Sequence, residues 1–156
     1  MKTKNVTYAA LIAAIYVVLT YAANIFGLAS GAIQVRISEA LSVLPAFTSA
    51  AIPGLFIGCF VSNLLTGCAL WDVVFGSIAT LFGALGTYYF GKNKYIAPIF
   101  PIAANTIIIP FVLKYVYALN DSVWYLVFTV FIGEVISCGI LGALLYSVVK
   151  KSNILK

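Results

Sequence analysis

The sequence predicts an all-α membrane protein, a bundle of six transmembrane helices with both termini cytoplasmic. Three observations carry that prediction. Of 156 residues, 63% are hydrophobic and 8% charged, and the mean hydropathy is +1.11. A water-soluble domain carries about a quarter charged residues. The apolar residues run in blocks of about 20, the length that crosses a hydrocarbon core. The charges are also sorted: lysines stand at segment ends (Lys2, Lys4, Lys92, Lys94, Lys150, Lys151, Lys156), while Glu39, Asp72 and Glu134 lie in or beside apolar segments. The chain reads as one integral-membrane domain over 1–156.

The first segment, Val6 to Leu28, follows the charged start MKTKN. It is longer than a signal-peptide core and more apolar segments follow, so it is expected to be a retained helix. Asp72 to Gly91, Tyr95 to Leu119 and Ser122 to Val149 are each long enough to span. The stretch Ile37 to Leu65 is too long for one span and short for two. Pro45 and Pro53 interrupt it, and SAAIPG (Ser49 to Gly54) reads as a turn entering a helix. Two short, interrupted helices, the second and third, are therefore expected there. Charge supports that count. With six spans, seven of the nine cations share the side of Lys2 and Lys4, leaving Arg36 and Lys114 outside. Five spans would split the lysines, against the positive-inside rule.

Small residues recur at packing spacing. Ala9 with Ala13 and Ala10 with Ala14 form overlapping pairs on the first helix, and Gly54 with Gly58 forms a GxxxG. Such pairs permit close backbone approach, either within the bundle or to a partner helix.

Composition excludes several chemistries. With no histidine, there is no zincin site, Ser-His-Asp triad or Cys-His dyad. Cys59, Cys68 and Cys138 are too far apart for a CxxC motif and read as small buried residues. The net charge of +5 is lysine at membrane ends, which replaces a nucleic-acid reading. GTYYFGKN (Gly86 to Asn93) approaches a phosphate-binding loop. Asn93 replaces its magnesium-holding hydroxyl, however, and the segment is a helix end. No ATPase or other cofactor site is expected in this chain.

Candidate binding residues follow from depth. Glu134 lies ten residues past Trp124 and Asn105 ten past Tyr95, each roughly 15 Å into its span at 1.5 Å per residue. Both are expected near the midplane on neighbouring helices, where a carboxylate points to a ligand or ion. Trp71 and Asp72 begin a helix at the outer side, as interface anchor and dipole-favoured acid or as ligand groups. Arg36 and Glu39, three residues apart, can meet on one helix face as an ion pair or as ligand groups. Asp121, in the Asn120-Asp121-Ser122 turn, reads as a loop residue and helix cap. Pro101 and Pro110 should each free a carbonyl one turn earlier, at Ala97 and Thr106.

RISEALSVLP (Arg36 to Pro45), followed by AAIPGLFIGCFVSNLL (Ala50 to Leu65) and LWDVVFGSIATLFGAL (Leu70 to Leu85), resembles the QueT family. These are queuosine-precursor transporters that act as substrate-binding S-components of energy-coupling factor transporters. The resemblance implies six helices in a bacterial plasma membrane and a pocket beneath Ala29 to Gln34. It implies a transmembrane coupling subunit and two cytoplasmic ATPases as partners, with Ala9, Ala13, Ala10 and Ala14 as the face toward the coupling subunit. The expected substrate is a 7-deazaguanine base held by Glu134, Asn105, Asp72, Trp71, Arg36 and Glu39. An S-component for another vitamin-like molecule shares that fold. A self-contained ion-coupled carrier or channel is the alternative of another class, and the lack of histidine and of paired catalytic acids speaks against an enzyme.

Overall fold

The computed structural model describes residues 3–28 and 33–152, and among them every regular element is helical. The elements are α1 (Thr3–Ile25), a 3₁₀ helix (Ile37–Ala46), α2 (Ala51–Leu65), α3 (Leu70–Phe90), α4 (Ile99–Tyr115) and α5 (Val123–Glu134). A π-helical segment (Val135–Leu141) then joins α5 to α6 (Gly142–Ser152) in one rod. Thr3–Ile25, Leu70–Phe90 and Val123–Ser152 are long and apolar enough to cross a membrane. Lys2, Lys156 and positions 29 to 32 of the expected pocket loop lie outside the described residues.

The close contacts fix the direction of each pass. A Cβ on Gly54 would stand 2.8 Å from the Ala9 carbonyl, and one on Gly58 would stand 3.1 Å from Ala13 Cα. Both numbers climb together, so α1 and α2 run in the same sense and the 3₁₀ helix between them makes the return. A second ladder pairs Gly133 with Gln34, Cys138 with Glu39 and Gly142 with Val43. The last rod therefore runs parallel to the 3₁₀ helix. Gly83 and Gly86 meet Pro101 and Phe100, the antiparallel contact of α3 with α4.

These contacts divide the small residues of α1. Ala9 and Ala13 pack on the glycines of α2, whereas Ala10 and Ala14 face outward. The spacing gave close approach correctly, and the two interleaved pairs point to different neighbours because they lie about 100° apart on the helix.

The bundle is apolar outside, and its core mixes apolar side chains with buried polar ones. Residues 38–45 of the 3₁₀ helix are buried throughout, and Val18, Phe82, Ile107, Phe128 and Val148 are exposed. That distribution suits a lipid solvent. Several buried hydroxyls pair with one another or with the buried acid: Thr20 Oγ1 lies 2.8 Å from Ser38 Oγ, and Ser42 Oγ donates to Glu39 Oε2 at 3.0 Å, whereas Thr106 Oγ1 and Ser137 Oγ are buried without a partner among the described residues.

Some boundaries differ from expectation. The segment read as Tyr95 to Leu119 is helical only over Ile99–Tyr115, 17 residues. Residues ahead of Pro98 form turns, and Ala118 takes the left-handed conformation (φ 51°) at the far end. The carbonyl freed by Pro101 is satisfied as a membrane requires: Thr87 Oγ1 donates to Ala97 O at 2.9 Å.

Candidate functional site

Two helices end around a shared opening with the same motif. Gly27 (φ 70°) and Gly67 (φ 76°) occupy the left-handed position that glycine adopts without steric cost. Leu28 N bonds Ala23 O and Gly27 N bonds Asn24 O; Cys68 N bonds Asn63 O and Gly67 N bonds Leu64 O. These Schellman endings stop α1 and α2 while leaving Asn24, Asn63 and Thr66 on the last turns, facing inward. The start of α3 and the end of α4 complete the ring. Together they enclose a cavity of about 290 Å³, near the lower end of the size common for small-molecule sites.

Asp72 is its carboxylate. It sits in the first turn of α3, 4% exposed, and Tyr117 Oη donates to its Oδ2 at 2.8 Å. The same oxygen of Tyr117 accepts from Ala69 N at 3.1 Å, so the phenol ties the α4 exit to the α3 entry. Partial burial raises the Tyr117 phenol above its ordinary range, with Asp72 adding to the effect, so it stays a donor to the carboxylate. One bond leaves Asp72 most of its acceptor capacity. Gly76 makes room here, since a Cβ on it would stand 3.1 Å from Asn63 Nδ2 and 3.7 Å from Asp72 Oδ1.

Arg36 lines the same cavity as this acid. It was expected to share a helix face with Glu39, but its backbone is extended (φ −97°, ψ 97°) at the cap of the 3₁₀ helix. The two side chains therefore diverge. Arg36 enters the cavity, and Glu39 turns into the core, where Tyr16 Oη and Ser42 Oγ donate to it. Asp72 contributes a favourable field at the guanidinium. The cavity thus holds one carboxylate, one guanidinium and the amides of Asn24, Gln34 and Asn63.

Glu134 and Asn105 are brought together, as their depths implied, but behind this cavity. With Gln34 and Arg36 they line a void of about 20 Å³, room for one water rather than a ring system. Cys138 Sγ lies 3.2 Å from Glu134 Oε2 and 3.3 Å from the Glu39 carbonyl, and ligating atoms of Glu39, Glu134 and Cys138 lie within 4.8 Å of one another. Arg36 and Gln34 are the residues common to cavity and void. Trp71 is 59% exposed, stacks on Phe75 and stands off the cavity lining. Asp121 belongs to the turn, where Lys114 Nζ donates to its carbonyl and to that of Leu119, but the cap of α5 expected there is Ser122, whose hydroxyl oxygen accepts from Tyr125 N.

Asn63, Tyr117, Thr20 and Asn24 also line the cavity and were not singled out from sequence. Asn63 carried a usable signal, a lone amide in an apolar span, the same signal that marked Asn105. Tyr117 carried none, since a tyrosine at a membrane interface is ordinary.

Comparison with known proteins adds the family. The model of the QueT transporter family matches residues 6–151. The chain is also similar to the queuosine precursor transporter QueT of Lactococcus lactis subsp. cremoris (strain MG1363), 37% identical over 95 residues. That match covers 60% of this chain and 55% of the relative, so it spans only about half of the relative's length. No solved structure matches.

Proposed function

The chain belongs to the QueT transporter family, and we propose that it is the substrate-binding membrane subunit for uptake of a queuosine precursor, a 7-deazaguanine base. The observation that carries this reading is the 290 Å³ cavity lined by both Asp72 and Arg36. A guanine-like edge presents adjacent N–H donors beside a carbonyl oxygen. Asp72 accepts from the N–H groups, Arg36 and Asn63 donate to the oxygen, and Tyr117 offers a ring face. Glu134, Asn105 and Glu39 support Arg36 from behind, and Trp71 anchors the mouth in the interface.

In this reading the helices cross a bacterial plasma membrane six times with both termini in the cytoplasm, and the cavity faces outward. The chain performs no reaction on its substrate. As an S-component it relies on a transmembrane coupling subunit and two cytoplasmic ATPases, which consume the ATP. The outward face of α1 carrying Ala10 and Ala14 is the surface offered to the coupling subunit, with Ala9 and Ala13 holding that helix to α2.

Cys68 provides the test. It is half-buried on the cavity wall, while Cys59 and Cys138 are buried. A maleimide should label Cys68 alone in the purified chain, and 7-aminomethyl-7-deazaguanine should slow that labelling in a saturable way. Protection by riboflavin or another vitamin, with none by a panel of deazaguanines, would assign a different substrate.

A further inference from the structure

Three of the chain's lysines converge at the end of the bundle opposite the cavity. Lys94, in the α3–α4 connection, and Lys150 and Lys151, in the last turn of α6, line one recess of about 470 Å³ with Asn93, Tyr95, Tyr146 and Ser147. The recess is held in shape by the fold. Tyr146 Oη donates to the Lys92 carbonyl at 3.1 Å, fastening the connection to α6, and Asn93 Oδ1 accepts from Tyr95 N and Ile96 N at 3.0 Å each.

Lysines near a helix C-terminus are often explained by the macrodipole or by bonds to terminal carbonyls. Lys114 fits that explanation, because it donates to two carbonyls. The three lysines of the recess make no hydrogen bond or ion pair with a described residue; Lys94 only overlies the Tyr95 ring at 4.9 Å. All four acids lie elsewhere, Glu39 and Glu134 in the core, Asp72 in the cavity and Asp121 in the α4–α5 turn. The recess is therefore a concentration of positive charge without a counter-charge among the described residues.

We propose that this recess binds the headgroup of an anionic glycerophospholipid. The phosphodiester would sit among the three ammonium groups, with Asn93 Nδ2 and the Tyr95 hydroxyl offered to its oxygens and Ser147 Oγ, which donates to Ala143 O at 2.9 Å, left as an acceptor for a headgroup hydroxyl. What favours a lipid over a free anion is the surface next to the recess. Leu144 and Val148 are 61% and 62% exposed, and they share a face of α6 with Ser147 and Lys151 by i, i+3 and i+4 spacing. Acyl chains leaving the headgroup would run along that strip.

The test uses the purified full-length chain in nonionic detergent. Native mass spectrometry would count bound dioleoyl phosphatidylglycerol, with dioleoyl phosphatidylcholine as the zwitterionic comparison. One phosphatidylglycerol should be retained in preference to phosphatidylcholine. The combined change Lys94→Gln, Lys150→Gln and Lys151→Gln should weaken that retention about 100-fold, at roughly fivefold per lysine. Lys4→Gln should leave it unchanged, and an unaltered thermal midpoint would show the triple variant folded. Equal retention of the two lipids, or equal loss in Lys4→Gln, would overturn the site. Displacement by millimolar inorganic phosphate would make it a free-anion site, and protection of the lysines from acetylation only in the presence of coupling proteins would make it a protein contact; either result overturns the lipid assignment.

Discussion

Asp72 and Glu134 are 4% and 8% exposed, so burial does not distinguish them; their neighbours do. Asp72 opens onto a cavity large enough for a bicyclic base, and Glu134 onto a void of about 20 Å³. Asp72→Asn should therefore weaken deazaguanine binding by about 1.5–3 kcal/mol, the worth of a charge-assisted hydrogen bond. That is roughly 10- to 150-fold in dissociation constant, read by titration of the purified variant. Glu134→Gln should bind within a few-fold of the parent chain and keep or raise the unfolding temperature, because an amide is cheaper to bury than a carboxylate facing another. The reverse order of effects would return the substrate to Glu134. Residue counting along a helix made the depth of Glu134 legible, and its pairing with Asn105 as well. It could not show that the segment carrying Gln34 and Arg36 lies between Glu134 and the opening.

Gly133 shows how one element sets another. A Cβ there would stand 2.2 Å from the Gln34 carbonyl, closer than real side chains approach, so the extended segment ahead of the 3₁₀ helix rests directly on α5. Gly133→Ala must push that backbone away and take Arg36 with it. Such overpacking costs about 1–3 kcal/mol. Binding should fall further than stability does, and Gly139→Ala, whose Cβ meets nothing nearer than 3.6 Å, should alter neither. Paired binding isotherms and thermal melts of the two variants check this. The prolines made the two short elements visible in the sequence, Pro45 within the first and Pro53 at the start of the second. The 3₁₀ type of the first was not visible. The ten-residue 3₁₀ run and the π segment beside it face each other through Cys138 and the Glu39 carbonyl. Each departs from α geometry where buried polar groups must meet, a tertiary requirement that no local propensity encodes.

The distribution of charge over the whole molecule carries the last prediction. Lys92, Lys94, Lys150 and Lys151 gather at one end of the bundle, and the cavity with Asp72 and Arg36 opens at the other. By the positive-inside rule the lysine end is expected to be cytoplasmic. A reporter fused after Lys156 should be active only in its cytoplasmic form, and activity of the periplasmic or extracellular form would sink the six-span orientation. The same polarity bears on energy. In the proposed orientation the cavity opens outward, and Gln34 and Arg36 line both it and the 20 Å³ void beside Glu134, which is too small to pass a base. The near-match to a phosphate-binding loop is also the C-terminal end of α3, where carbonyls rather than N–H groups are exposed, the wrong polarity for a phosphate. Liposomes containing this chain alone should therefore bind labelled 7-aminomethyl-7-deazaguanine without accumulating it, whether or not an ion gradient is imposed. Accumulation should appear when the coupling subunit, two ATPases and internal ATP are supplied. Uphill uptake driven by a proton or sodium gradient in the single-protein liposomes would instead make the chain a self-contained carrier. The facing carboxylates Glu39 and Glu134 would then be the first place to look for its coupling ion.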